Sequence, residues 1–99
     1  MNQQELVFTT TAKNSLQDLI HQVQEVSLIA AERVRSRIFH RLHLIHHQPS
    51  QASRKADFGA LEGHFRVATV LNYKIYYLVE DARIVVLDLI LDKEVQSNS

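Results

Sequence analysis

Apolar residues recur along this chain with two different periods, and the change of period marks out its elements. Leu16, Leu19, Ile20 and Val23 fall at i, i+3, i+4 and i+7, the stripe of an amphipathic helix from Ala12 to Val26. Ala31, Val34, Ile38, Leu42 and Ile45 then follow at spacings of three or four, which predicts a second helix from Leu28 to about His47. Ser27 between them is suited to cap the second helix, because its hydroxyl can accept a hydrogen bond from an unpaired first-turn amide. So short a connection implies an antiparallel helical hairpin. Pro49 ends it.

On either side of the helices the pattern is that of strands. "ELVFTT", Glu5 to Thr10, is β-branched and apolar. "HFRVATV", His64 to Val70, reads as a strand, followed by a break at Leu71 and Asn72 and by two more strands, Tyr73 to Val79 and Ile84 to Leu91. The stretch from Gln48 to Leu61 holds turn formers and reads as a loop, and the polar tail, about 92–99, reads as frayed. The order β-α-α-β-β-β predicts an α+β domain, an antiparallel sheet with a helical hairpin packed on one face. Tyr73 to Val79 must be the middle strand of a three-stranded meander. In the last strand Val85, Leu87, Leu89 and Leu91 form one apolar face, assigned to the helices, with Ile84, Val86 and Ile90 on the other beside Asp88. The middle strand has Tyr73, Ile75, Tyr77 and Val79 on one face and Lys74, Tyr76 and Leu78 on the other. The second face of the sheet is therefore half apolar, and a chain of this length has no third layer for it. A partner segment, or the loop Gln48 to Leu61 folded back, would cover it.

Composition narrows the classes. Ninety-nine residues make one domain, 1–99, with 45% hydrophobic and 22% charged residues, well away from disorder. Eleven basic and eleven acidic residues cancel, which argues against a protein held to nucleic acid by phosphate attraction; no direct sequence-specific nucleic-acid binding is expected. With no cysteine there is neither a disulfide scaffold nor a thiolate metal site, in keeping with a reducing cytosol. The N-terminus lacks the basic and apolar regions of a signal peptide, and no apolar run approaches a membrane span. The expectation is a cytoplasmic protein with no membrane partner.

At this level the chain resembles a family. A strand, then "TAKNSLQDLI", then a helix beginning "AAERVRSRI", is similar to the opening of ParE-type toxins in the RelE/ParE superfamily. "LEGHFRVATVLNYKIYYLVEDARIVVLDLIL" resembles its close: a leucine-glycine turn, an arginine-bearing strand, "Y-x-I-x-Y" and a valine-rich last strand. The resemblance covers about Leu6 to Leu91 and rests on core and turn positions, which specify fold better than chemistry. It implies the toxin of a type II toxin–antitoxin pair, bound by a cognate antitoxin that wraps a segment around it. ParE-like members poison DNA gyrase; RelE-like members cut mRNA, generally in the ribosome. Cleavage needs cations on the scissile phosphate and a group to move the 2′-hydroxyl proton. Arg66, Lys74 and Lys93 are the phosphate contacts on that alternative, but "DKEVQSNS" after the last strand holds neither Tyr nor His. The ParE-like reading is preferred: a protein that acts by binding, not an enzyme. A non-toxic, antitoxin-binding relic of the fold is a third possibility. Many ParE-like chains end their last strand with His-Arg or Arg-Arg, whereas this one has Asp92 and Lys93.

The candidate target or antitoxin contacts are Arg33, Arg37, Arg41, Arg66, Tyr73, Lys74, Tyr76 and Lys93. Arg33, Arg37 and Arg41 stand at i, i+4 and i+8, a basic stripe that is either a solvated helix face or a dock for carboxylate or phosphate. Arg66 and Lys74 are either solvated charges on the open sheet, with Lys74 near Asp88, or contacts to a partner. His43 and His47, at i and i+4 with His40 a turn away, have a spacing that can hold Zn²⁺, but no Glu completes a metalloprotease pattern. A helix rich in exposed histidine is the simpler account, and no metal is expected. Protonation of these histidines would add charge beside the arginines and make partner binding pH-sensitive. "ADFGALEG", Ala56 to Gly63, lacks phosphate-loop spacing and a following helix, so no nucleotide or other cofactor is expected.

Overall fold

The computed structural model describes residues 4–48, 53–54 and 65–92. Strand β1 (Glu5–Phe8) passes directly into helix α1 (Thr10–Val26) through Thr9, whose extended backbone lets Oγ1 accept from the Ala12 amide at 3.0 Å. The strand is thus shorter than the β-branched run, because its two threonines are spent on the cap and the first helical turn. Ser27 serves both helices. Its N–H donates to the Val23 carbonyl at 2.9 Å, closing α1, and its Oγ accepts from the Ala30 amide at 3.1 Å, opening α2 (Leu28–His47). One extended residue therefore reverses the chain and makes the hairpin. Leu19 and Ile20 of α1 and Ala31, Ile38, Leu42 and Ile45 of α2 are buried, with Leu16 and Val34 packed beside them.

The sheet has the order β1-β5-β4-β3-β2, with β2 at Ser53–Arg54, β3 at Phe65–Val70, β4 at Tyr73–Val79 and β5 at Arg83–Leu91. β3, β4 and β5 form the expected antiparallel meander with β4 in the middle. β1 joins the free side of β5 in parallel, Leu6 opposite Ile84 and Phe8 opposite Val86, so the sheet is mixed. Within the stretch read as a loop, Ser53–Arg54 pairs with β3 as a two-residue edge strand; residues 49–52 and 55–61 of that stretch, and the tail from Lys93 onward, lie outside the described residues.

One assignment is overturned. Ile84 and Val86 are fully buried on the helix side, not on the opposite face. Tyr76 pairs with Asp88 and Tyr77 with Val86, which leaves Leu87 as an extra residue on β5, a β-bulge. A bulge shifts the alternation by one. Ile84 and Val86 point to the helices before it, and Leu89 points there after it, so an even-numbered and an odd-numbered set share one core face. Strict alternation through Leu87 would have put Ile84 and Val86 outside. On β4 the predicted face holds: Ile75 and Tyr77 are fully buried, flanked by Tyr73 and Val79.

The bulge is tied to its surroundings by side chains. The Thr9 hydroxyl donates to the Leu87 carbonyl at 2.8 Å. Asp88 accepts from the Ser15 hydroxyl of α1 at 2.6 Å and from the Leu89 amide at 2.8 Å through the same Oδ1. Lys74, placed near Asp88 by sequence alone, instead faces Asp92, with Nζ 3.8 Å from Oδ2. The ladder explains this, since Lys74 sits opposite Ile90, two residues beyond Asp88. At the same end of β4 a two-residue turn, Leu71–Asn72, links it to β3, with Leu71 in the left-handed region at φ 55°.

Candidate functional site

The predicted contact residues separate onto two faces of the sheet. Directly paired strand residues share a face, and Arg66 is paired with the buried Tyr77, so Arg66 stands on the helix side. Arg41 of α2 is half-buried. Burial pushes the Tyr77 hydroxyl above its ordinary pKa of 10.0, and the cations Arg66 and Arg41 pull it back part of the way. Two guanidinium groups and a phenol thus occupy one neighbourhood. Buried Nε of Arg41 and buried Nε and Nη1 of Arg66 have no hydrogen-bond partner among the described residues. Tyr77 was legible as a core position. Its place beside Arg66 was not, because that depends on the β3–β4 register.

Lys74 and Tyr76 lie on the opposite face. Lys74 is half-buried beside Asp92, and the Tyr76 ring meets Phe65 edge-on with centroids 6.0 Å apart. Leu78 and Val85 extend this half-buried apolar strip, and Ile90 at its end is 47% exposed. Phe65 and Val67 of β3 share this face but are themselves buried. Tyr73 stands at the margin of the core cluster on the helix side. Lys93 lies outside the described residues. Arg66 and Lys74 therefore leave the sheet in opposite directions and do not converge on one ligand.

The helical hairpin presents the remaining features. Arg33 and Arg37 are exposed and make no ion pair among the described residues, whereas Arg41, the third of the stripe, is tucked in. Between the helices Leu16, Ile20, His21, Gln24, Arg35 and Phe39 line an open groove of about 560 Å³. At the turn Val26, Leu28 and Ile29 form an apolar tip; Val26 is 87% exposed. Helical periodicity alone could have flagged that tip, since none of the three belongs to either buried stripe. The His43 and His47 rings meet edge-on, centroids 4.4 Å apart, and His46 contacts the Gln4 carbonyl through Nε2. No group of three or more His, Cys, Asp or Glu suited to a metal gathers among the described residues. Nor is any described helix long and apolar enough to cross a membrane.

Comparison with known proteins adds two findings. Residues 6–95 match the family model described as the ParE toxin of the type II toxin-antitoxin system, parDE. A solved structure of the chromosomal ParDE TA system from P. aeruginosa contains a chain that superposes with a TM-score of 0.71 at 18% identity, covering 90% of this chain and 96% of that one. At that identity the likeness is one of fold. No curated protein sequence matches.

Proposed function

The chain belongs to the ParE toxin family of type II toxin–antitoxin systems, and from that premise we propose that it inhibits DNA gyrase in the cytoplasm. On this reading it binds gyrase and stabilises the complex in which DNA is cut and covalently attached, until a cognate antitoxin neutralises it. The toxin supplies contacts and gyrase supplies the chemistry, in keeping with ParE-type toxins generally not being enzymes. The observation that carries this reading is the divergence of Arg66 and Lys74 to opposite faces of the sheet. A ribonuclease must bring cations together on one phosphate at hydrogen-bond distance. These two cannot do so without turning the strand over. Arg33 and Arg37 on α2, with the half-buried strip around Tyr76, offer separate surfaces for a target and for an antitoxin.

The experiment is a gyrase supercoiling reaction with ATP, titrated with the purified chain. Linear DNA bound covalently to gyrase is expected to accumulate, and Arg33→Glu with Arg37→Glu is expected to reduce it. Supercoiling that runs untouched at micromolar protein would refute gyrase inhibition. Cleavage of mRNA on ribosomes by the same preparation would instead favour the enzymatic alternative.

A further inference from the structure

The last turn of α2 carries histidines for which the toxin reading has no use. His43 and His47 are both exposed and stand one turn apart on the same helix face. Their ring centroids are 4.4 Å apart and their planes are inclined at 63°. The spacing alone gave no reason to expect a metal; the ring geometry does. An imidazole nitrogen holds an ion at about 2.0–2.1 Å, which puts each ring centre about 3.2 Å from the ion. Two nitrogens that subtend a right angle at the ion then have ring centres about 4.5 Å apart, against about 5.2 Å at the tetrahedral angle. The observed separation matches the right angle. The ion must also lie in both ring planes, since the lone pairs do. Planes that cross at 63° share such a line, whereas stacked rings share none.

We propose that His43 and His47 form a chelate for one divalent ion of the tetragonal class, nickel(II) or copper(II), with water in the remaining positions. Imidazole is a favoured ligand of these late first-row ions, and right-angled nitrogen pairs suit their geometry. Two further features support a cation here. Helix α2 ends at His47, so the carbonyl ends of its peptide dipoles lie beside the pair and favour positive charge. The neighbouring His46 does not compete for the ion through Nε2, because that nitrogen donates to the Gln4 carbonyl and so carries the proton. Against the site stand Arg37 and Arg41 of the same helix, so the attraction must come from the coordinate bonds themselves. The His46 contact also indicates what the ion would do. It ties the last turn of α2 to the segment entering β1, and a chelate across His43 and His47 fixes that same turn. Loading the site therefore stiffens the junction between the end of the helical hairpin and the start of the sheet. The inference is independent of any target or antitoxin, because both ligands belong to this chain.

The test uses the full chain without an affinity tag, titrated in turn with the chlorides of nickel, zinc and magnesium and followed by calorimetry and ¹H–¹⁵N spectra. Nickel is expected to bind with a single site per chain and micromolar affinity. It should broaden the amide signals of His43, His47 and Gln48 while those of Leu71 and Asn72 in the β3–β4 turn stay sharp. At about five times its dissociation constant it should raise the melting temperature by about 4–8 °C. His43→Ala and His47→Ala, both at exposed positions, should each weaken binding by about tenfold or more, the least that loss of an inner ligand costs. His21→Ala, which removes the exposed histidine beside Glu25 on α1, should leave binding unchanged. Magnesium, which takes oxygen ligands, should not bind. The proposal is overturned if nickel fails to saturate below millimolar concentration, or if His43→Ala and His47→Ala bind it as the parent does. It is equally overturned if His21→Ala abolishes binding, if magnesium competes, or if zinc saturates at an about tenfold lower concentration, which would mean a tetrahedral site.

Discussion

Asp88 ties helix α1 to strand β5 beside the bulge, and its removal is a sharp test of the fold described above. Its Oδ1 accepts from Ser15 at 2.6 Å and from the Leu89 amide at 2.8 Å, linking α1 to the strand just after the bulge. Hydrogen bonds to a charged group contribute roughly 1.5–3 kcal/mol each in favourable settings. This site is part-buried and both bonds share one oxygen, so the lower end applies, and Asp88→Ala should destabilise the protein by about 2–3 kcal/mol. Asp88→Asn keeps an acceptor and should lose about 1 kcal/mol. Ser15→Ala removes only one bond and leaves the carboxylate partnered by Leu89, for a loss of about 1 kcal/mol. The assay is urea unfolding at pH 7 followed by far-ultraviolet circular dichroism, with a double-mutant cycle on the pair. A coupling energy of about 1 kcal/mol is expected between the two positions. Additive losses, or an Asp88→Ala midpoint within error of the parent, would mean that the bulge is held by packing alone and that the reasoning from these bonds is wrong.

Three further outcomes follow from the same structure. Leu71 adopts a left-handed φ of 55° in an exposed turn, where a side chain is disfavoured by about 1–2 kcal/mol; Leu71→Gly should therefore stabilise by about 0.5–1 kcal/mol after its greater unfolded-state freedom is offset, and a lower urea midpoint would contradict this. Ile38 of α2 is fully buried against the sheet, so Ile38→Ala should destabilise by about 2–5 kcal/mol in the same assay, with a loss under 1 kcal/mol counting against the placement of the helix. Tyr77 has its pKa raised by burial, so the folded protein retains a proton that the unfolded chain releases above about pH 10. The stability this provides is complete below pH 10 and is lost as pH rises through the folded-state value. Between pH 9 and 11 the parent should lose more stability than Tyr77→Phe, and parallel curves would refute the shift.

The helices with their apolar stripes, and the meander, could be read directly from the chain, because each depends on local period and local chemistry. Leu16, Leu19 and Ile20 recur at helical spacing, Ser27 has the hydroxyl that a cap requires, and Tyr73 to Val79 has the alternation of a strand buried on one side. Resemblance in those same positions was enough to point to the toxin family. The candidate site was legible only in part. Arg41, Arg66 and Lys74 were visible as charges in places where charges need a reason, but a strand's sequence says only that neighbours alternate, not which set faces inward. That choice was made by long-range pairing. Leu87, the extra residue opposite the Tyr76–Tyr77 step, brings Ile84, Val86 and Leu89 to one face, and no local signal in "RIVVLDLIL" marks it. The pairing of β3 with β4 then put Arg66 beside Tyr77 and sent Lys74 to the other side. Period and capping are properties of residues a few positions apart, so the sequence by itself determined the elements. Register and facing are set by whichever pairing buries the most apolar surface across the whole sheet, and only the tertiary structure decided those.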